Sequence, residues 1–404
     1  MPDGILSGIR VIDCATYIAA PAAAAVLSDF GAEVIKVERP PHGDPYRALY
    51  QVAGAPVSEH NYCWLLDARN KKSIALNLGD DAGREALLKL AATADVFITN
   101  YQPQLIAKFR LDYEALRAVN PRLIYAGVTG YGEVGPEAEK PGYDMTGYWA
   151  RSGLMQFIHN ADAEPALSPM GFGDHPTAMS LFGAILLALY QRERTGQGMK
   201  VSTTLMANGA WSNSCLVQAS LCGATHPPKR TRKTPHNPLV NHYQTGDGRR
   251  FLFCLLDNEK DWPRVCRAMG RTEWIGDARF HTVEARCENA VELVTLLDAE
   301  FARHGMEEWT RRFAENDVTW GPASDLDAVA ADQQMAINGL FPVMESAPGG
   351  PVRIVSSPIM VDGSEKNPPG RPPEVGEHTR EVLASLGYTP QQVDELIGRG
   401  VVKG

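Results

Sequence analysis

"IRVIDCATYIAAPAAAAVLSDFGAEVIKVE", residues 9–38, decides the fold. "IRVIDC" (9–14) is a short apolar run, as a strand buried on both faces requires. "PAAAAVLSDF" (21–30) starts a helix with Pro in its first turn, and Gly31 supplies a stop. "EVIKVE" (33–38) is the next strand. A helix between two strands only a few residues away on each side makes the strands parallel neighbours.

The same alternation continues through "SIALNL" (73–78), "DAGREALLKLAAT" (81–93), "DVFIT" (95–99), "DYEALRAVN" (112–120) and "LIYAGVTG" (123–130). The pattern predicts an α/β fold: a parallel sheet with helices on both faces. Asp174 heads the helical stretch "DHPTAMSLFGAILLALYQRERTGQG", where it reads as an N-cap, with Pro176 in the first turn and Gly196 as the stop. "KVSTTLM" (200–206) reads as a strand and "ANGAWSNSCLVQASL" (207–221) as one helix. The Pro-, Thr- and Lys/Arg-rich stretch 223–239 reads as an exposed linker, and the basic run Lys229–Lys233 within it as a solvated face. "FLFCLL" (251–256) and later helical stretches predict a smaller mixed domain.

With 404 residues the chain can build a large core, and 44% hydrophobic with 22% charged residues is a globular balance. A net charge of −9 argues against bulk binding to nucleic acid or anionic membrane. The segment "MPDGILSGIRV" lacks the basic and apolar regions of a secretory leader. The longest apolar run, "LFGAILLALY" (181–190), is about half of a bilayer span. Seven scattered cysteines without C-x-x-C spacing fit a reducing cytoplasm and no metal site or disulfide frame.

The first strand–helix turn, "DCATYIAAPAAAA", has small side chains that let an anionic ligand reach the backbone at a helix amino terminus. The G-x-G-x-x-G of nicotinamide-binding folds is absent, which leaves Glu38 a weak ribose ligand. Arg39, Arg69, Lys71 and Lys72 lie beside strands and offer charge for phosphates, as surface lysines and arginines anywhere do. Asp144 and Asp162 each sit in a loop, where an aspartate commonly serves a turn. From these residues alone the chain is a cytosolic α/β enzyme with a small-residue anion turn.

A series of stretches then falls into one order: "LSGIRVID", "GAEVIKVERPPHGDP", "NKKSIALNL", "ADVFITNYQP", "LIYAGVTGYGEVGP", "PGYD", "SGLM", "GDHPTAMSLFGAILLALYQRERTGQG" and "GEHTREVLASLGY". Together they resemble the class III CoA-transferase family, which holds formyl-CoA and carnitine CoA-transferases and the α-methylacyl-CoA racemases. The resemblance runs from residue 5 to the tail and is thinnest between 225 and 320. It implies a Rossmann-like large domain built from both chain ends (1–222 and 326–404), the 223–239 linker, a small domain over 240–325, and an interlocked homodimer. It also implies acyl-CoA and a carboxylic acid as partners, with coenzyme A as a substrate moiety and no tightly bound cofactor.

For the site, the resemblance places the nucleophile at Asp162, counted from the Gly153 of "SGLM", with Ala163-Glu164-Pro165 where the family pattern has Gly-Pro-Pro. Backbone N–H groups near Ala19 and Ala20 would receive oxyanions, and Ile18 and Ala19 would contact the CoA moiety. Arg39 would meet the adenine or ribose, Lys71 and Lys72 the phosphates, and Asn100, Tyr101 and Lys108 would line the channel, Lys108 replacing an arginine. Tyr143 stands where racemases carry the histidine that removes an α-proton, so racemase becomes the alternative and non-catalytic acyl-CoA binding a second one. Asp144 and Asp174 match the racemase aspartates and are expected to shape the pocket or to serve as alternative catalytic acids. Ile18 replaces a family glutamine and no Gly-Gly-Gly loop is present; with Trp149 and Phe157 this points to a large, less polar acyl group.

Overall fold

A computed structural model describes residues 4–404, which divide into two compact units. Of the described residues, the larger comprises 4–157, 167–222 and 334–404; the smaller comprises 158–166 and 223–333. Residues 158–166, which the sequence pattern leaves in the large domain, therefore cluster with the smaller unit.

The larger unit is built on a seven-stranded sheet. Its first six strands in chain order are β1 (Arg10–Asp13), β2 (Glu33–Glu38), β3 (Lys71–Leu76), β4 (Val96–Thr99), β5 (Ile124–Thr129) and β6 (Lys200–Thr204), and the seventh comes from the end of the chain. The smaller unit holds β7 (Val240–Gln244), β8 (Arg250–Cys254) and β9 (Trp320–Pro322), after which a short hairpin, β10 (Val343–Met344) and β11 (Val352–Arg353), precedes β12 (Val402–Lys403). The order across the large sheet is β12-β3-β2-β1-β4-β5-β6, parallel throughout except for β12, which returns antiparallel along β3.

Alternate residues of the central strand feed opposite cores. Val11 packs with the helices Ala19–Asp29 and Asp174–Thr195, whereas Ile12 packs with the helices Asp81–Ala91, Thr379–Ser385 and Pro390–Gly398. Burial on both faces is why these strands read as continuous apolar runs. The Ala-rich helix Ala19–Asp29 is buried along its whole length, because only small side chains let it lie that close to the sheet and to its neighbour helix.

Two local expectations change. The stretch 205–221 forms two helices, Leu205–Ser212 and Ser214–Leu221, which meet at Asn213; its side-chain amide donates to Ser152 O (3.2 Å). Asp174 does not cap its helix: Gly173 holds that position without a side-chain bond. A Cβ on residue 173 would lie 2.5 Å from Tyr148 Cγ, so the ring forces glycine there and leaves the Asp174 carboxylate uncommitted to capping.

The smaller unit pairs the antiparallel sheet β7-β8-β9 with the helices Asn258–Met269, Ala290–Phe301 and Met306–Glu315. Its core is aromatic, centred on Phe251, Phe253, Phe301 and Phe313. Arg232 and Lys233 of the basic run both reach Asp298, at 2.9 Å each. No helix among the described residues is long and apolar enough to cross a membrane.

Candidate active site

The carboxyl ends of β1 and β4 open onto two adjoining cavities in the larger unit. The turn after β1 is fixed from two sides. Asn100, just beyond β4, accepts from Thr16 N (2.9 Å) and donates to Thr16 O (2.7 Å). Asp44 accepts from Tyr17 N (3.1 Å), holding Tyr17 at a φ of +62° that a non-glycine residue adopts only under constraint. Ile18 and Ala19 then begin the helix, with no side chain capping its amino terminus.

Beneath the turn lies a buried charge network. Lys36 Nζ meets Asp44 Oδ2 at 2.9 Å and Asp13 Oδ1 at 3.7 Å, and donates to Ala15 O (2.7 Å). Lys71 Nζ meets Asp13 Oδ2 at 2.8 Å and donates to Pro21 O (2.7 Å). Burial alone would push the Asp13 carboxyl up, but the Lys36 and Lys71 charges outweigh it and hold it low. Glu38 accepts both Arg47 N–H groups at 2.8 Å and the Ser73 hydroxyl at 2.6 Å. Lys71 is therefore not a phosphate ligand: its side chain is wholly buried and both of its bonds go inward. Lys72 is committed too, to Glu33 (2.9 Å) and Glu381 (2.7 Å).

The first cavity, of about 620 Å³, is lined by Tyr17, Ile18, Ala19, Asn100, Tyr101, Tyr143, Asp144 and Asp174 together with Leu49, Val128, Met145, Met170 and Leu205. The second, of about 970 Å³, carries Arg39, His42 and Lys108 beside the 76–79 turn. Thr16, Tyr101 and Leu105 line both, so the two form one continuous groove: an apolar end with carboxylates and a wider end with cations. Of the three apolar side chains expected at the acyl end, Ile18 alone lines the cavity. Trp149 is buried against Phe172 (5.6 Å), and Phe157 is exposed outside both cavities.

The carboxylates sit unequally. Asp144, 8% exposed, accepts from Met145 N through Oδ1 (2.7 Å), while its buried Oδ2 has no hydrogen-bond partner among the described residues. Asp174 is half-buried at the amino end of its 22-residue helix. Burial first, then the charges of Asp144 and Asp67, push its carboxyl up to about 7, with His175 pulling the other way. His175 Nε2 lies 3.3 Å from Asp67 Oδ1 and Nδ1 lies 3.1 Å from Gly171 O. Tyr46 donates its hydroxyl to Asp67 Oδ2 (2.5 Å). Sequence reading missed Tyr46, Asp67 and His175; the only signal was the histidine beside Asp174 in "GDH".

Asp162 is exposed on the 158–166 segment of the smaller unit and lines neither cavity. Ala20 is buried behind Ala19 and also lines neither. Tyr143 is 60% exposed and meets Tyr17 edge-on at 6.1 Å.

The sequence profile described as CoA-transferase family III matches residues 6–379. A cinnamoyl-CoA:phenyllactate CoA-transferase of Clostridium sporogenes is 33% identical over 397 residues, covering 97% of this chain and 96% of its own. An (R)-2-hydroxy-4-methylpentanoate CoA-transferase of Clostridioides difficile is 30% identical, covering 99% and 100%. Among solved structures, a CAIB/BAIF family protein of Brucella suis superposes with a TM-score of 0.82 at 29% identity, over 95% of this chain and 100% of that one. A parallel sheet whose helix amino terminus and carboxylates face a groove with cations at its far end, matched along nearly its whole length in sequence and in fold, places this chain in CoA-transferase family III, as an acyl-CoA:carboxylate CoA-transferase.

Proposed function

We propose that the protein moves CoA from an acyl-CoA to a carboxylic acid with an apolar body, and that Asp174, rather than Asp162, is the attacking carboxylate. One observation carries this: Asp174 is the half-buried acid at a helix amino terminus inside the apolar end of the groove, with its carboxylate not spent on capping. A carboxylate suits the task because its acyl anhydride and its thioester lie close in energy to the thioesters exchanged, so no step is steeply uphill.

Asp174 attacks the donor thioester carbonyl and the C–S bond breaks, giving a mixed anhydride and CoA thiolate. The thiolate attacks the aspartyl carbonyl and expels the donor acid, leaving an aspartyl–CoA thioester. The acceptor carboxylate attacks that carbonyl and releases the thiolate again. In the last step the thiolate attacks the acceptor's acyl carbon, forming the new acyl-CoA and freeing Asp174. Each tetrahedral oxyanion needs donors, and the backbone N–H groups at Ile18 and Ala19, at a helix amino terminus on the same cavity, suit that role. Arg39 and Lys108 at the wider end suit the nucleotide and its phosphates.

An apolar acyl group is favoured by Ile18, Leu49, Val128, Met170 and Leu205 around the carboxylates. The relatives named for phenyllactate and 2-hydroxy-4-methylpentanoate act on acids of that kind. Racemisation would need a base for an α-proton; Tyr143 is a phenol, and both nitrogens of His175 are already engaged. An interlocked homodimer belongs to the same reading, and the exposed Leu187, Tyr190, Trp211 and Leu221 of the larger unit support a second copy covering them.

Incubation with acyl-CoA and then hydroxylamine or borohydride, with peptide mapping, tests the nucleophile. Modification at Asp174 is expected. Modification at Asp162 would overturn the assignment, and α-deuterium wash-in without an acceptor acid would replace transfer by racemisation.

A further inference from the structure

We propose that His175 is a positioning residue that holds the attacking carboxylate in its ionised, nucleophilic form by standing beside it as a fixed cation. This deepens the reading in which Asp174 attacks, and rests on it.

The hydrogen bonds of His175 set its charge. Nε2 of His175 faces a carboxylate oxygen of Asp67 and Nδ1 faces the carbonyl oxygen of Gly171. Both partners only accept, so both ring nitrogens donate, and a ring with two N–H groups carries a full positive charge. Asp67 can play this part because it is 2% exposed and its other oxygen already accepts from Tyr46. Burial raises the Asp67 carboxyl, but the charge and hydrogen bond of His175 outweigh that and hold it low. The His175 side chain is 45% exposed, so burial opposes its charge only in part, and Asp67 overcomes that, lifting the imidazole to about 9.

Gly171 completes the clamp. Its φ is +74°, and a Cβ there would lie 3.2 Å from both His175 Cε1 and Nδ1 and 3.6 Å from Ile18 Cδ1. The ring therefore also seats the 170–171 turn, which lines the acyl end of the groove. Around this point three acids meet, Asp67, Asp144 and Asp174; Arg69 also acts on Asp67, and the neutral Tyr46 phenol and Cys63 thiol stand behind. Among the described groups that shift Asp174, His175 is the one cation. Remove it, and two negative neighbours act on a half-buried carboxyl with no cation opposing them. Asp174 then takes up a proton at higher pH and loses its nucleophilic form near neutrality.

The test pairs kinetics with spectroscopy on the full-length enzyme. His175→Gln keeps an N–H donor but no charge, and the acid limb of its kcat/KM profile is expected to move up by roughly one pH unit, a loss of about 3- to 10-fold at pH 6.5 that closes above pH 8.5. His175→Arg restores the charge and should return the limb toward its wild-type position. In the wild type, ring ¹⁵N signals of His175 should report both nitrogens protonated at pH 7.5, a signature independent of turnover and of any variant's folding. An unmoved acid limb in His175→Gln, with Asp174→Asn inactive, would overturn the role of His175 while sparing Asp174 as nucleophile. A neutral ring at pH 7.5 would do the same. Full turnover by Asp174→Asn would instead overturn the nucleophile and with it this role, even with the ring found charged.

Discussion

The larger unit holds two clusters of buried acids that differ in one respect, the supply of cations. Under β1 and β2, Asp13, Asp44 and Glu38 are met by Lys36, Lys71 and Arg47, with hydrogen bonds to backbone carbonyls using the remaining ammonium protons. At the apolar end of the groove, His175 is the one cation among the groups that shift Asp174, and Asp144 Oδ2 has no hydrogen bond among the described residues. The first cluster is matched charge for charge and holds the 14–18 turn in place, although Asp13 Oδ1 and Asp44 Oδ2 meet Lys36 as ion pairs without a hydrogen bond; the second is short of positive charge around the carboxylate proposed to attack. Buried charge that is fully paired is structural, and buried charge left under-compensated is where chemistry is performed.

The largest expected effect comes from the poor side of that comparison. Asp174→Asn should lower turnover by at least about 10⁴-fold, whereas Asp162→Asn should leave it within about twofold of wild type; reversed results in a steady-state CoA-transfer assay would restore Asp162. The same Asp174→Asn change should make the protein more stable. The folded-state carboxyl is raised from 3.8 to about 7, so it costs stability once pH rises above the unfolded value, and the full cost is present above about 7. Removing the charge should then recover about 1–3 kcal/mol at pH 8, after allowance for partial solvent screening. A thermal melt at pH 8 that moves down would sink this. At pH 4 the variant and wild type should melt together.

Lys71→Met attacks the satisfied side. It strips Asp13 Oδ2 and Pro21 O of their donor in a fully buried setting, and the expected cost is about 3–5 kcal/mol by denaturant unfolding. A loss under 1 kcal/mol would mean that Lys36 alone can balance Asp13. At the wide end of the groove, Arg39→Ala and Lys108→Ala should each raise KM for acyl-CoA by about 5- to 10-fold with little change in kcat, since exposed cations bind ground state and transition state alike. A fall in kcat with unchanged KM would show that they act elsewhere. The smallest effect is expected from Asp144→Asn, which removes a charge that raises Asp174. Its kcat/KM profile should have an acid limb shifted down by roughly half to one pH unit, opposite in sign to His175→Gln.

How far these sites could be read in advance depended on how local their signals were. The five strands and the helices near 21–30, 81–93 and 112–120 follow from apolar runs and stops a few residues apart, and the structure has them in place, whereas the short helices Pro45–Gln51, Tyr62–Asp67 and Pro103–Phe109 gave no such signal. Lys71 misled, because a lysine before an apolar strand looks solvent-facing. Its burial depends on Asp13, which belongs to β1, across the intervening β2. Asp174 misled in the opposite direction, since an aspartate at a helix start looks like a cap; the cap is Gly173, where the Tyr148 ring leaves no room for a side chain. The Tyr46–Asp67–His175 chain spans partners 21 and 108 residues apart in sequence, so no spacing could announce it.

The order of strands and helices, the parallel sense of the sheet and the small-residue turn after β1 were set by the sequence itself, because backbone propensity and side-chain periodicity act between near neighbours. Which acid would be left short of a counter-charge was settled only in the folded chain. Charge compensation is a matter of a few ångströms in space, and the sheet brings those few ångströms together from segments that the chain keeps far apart.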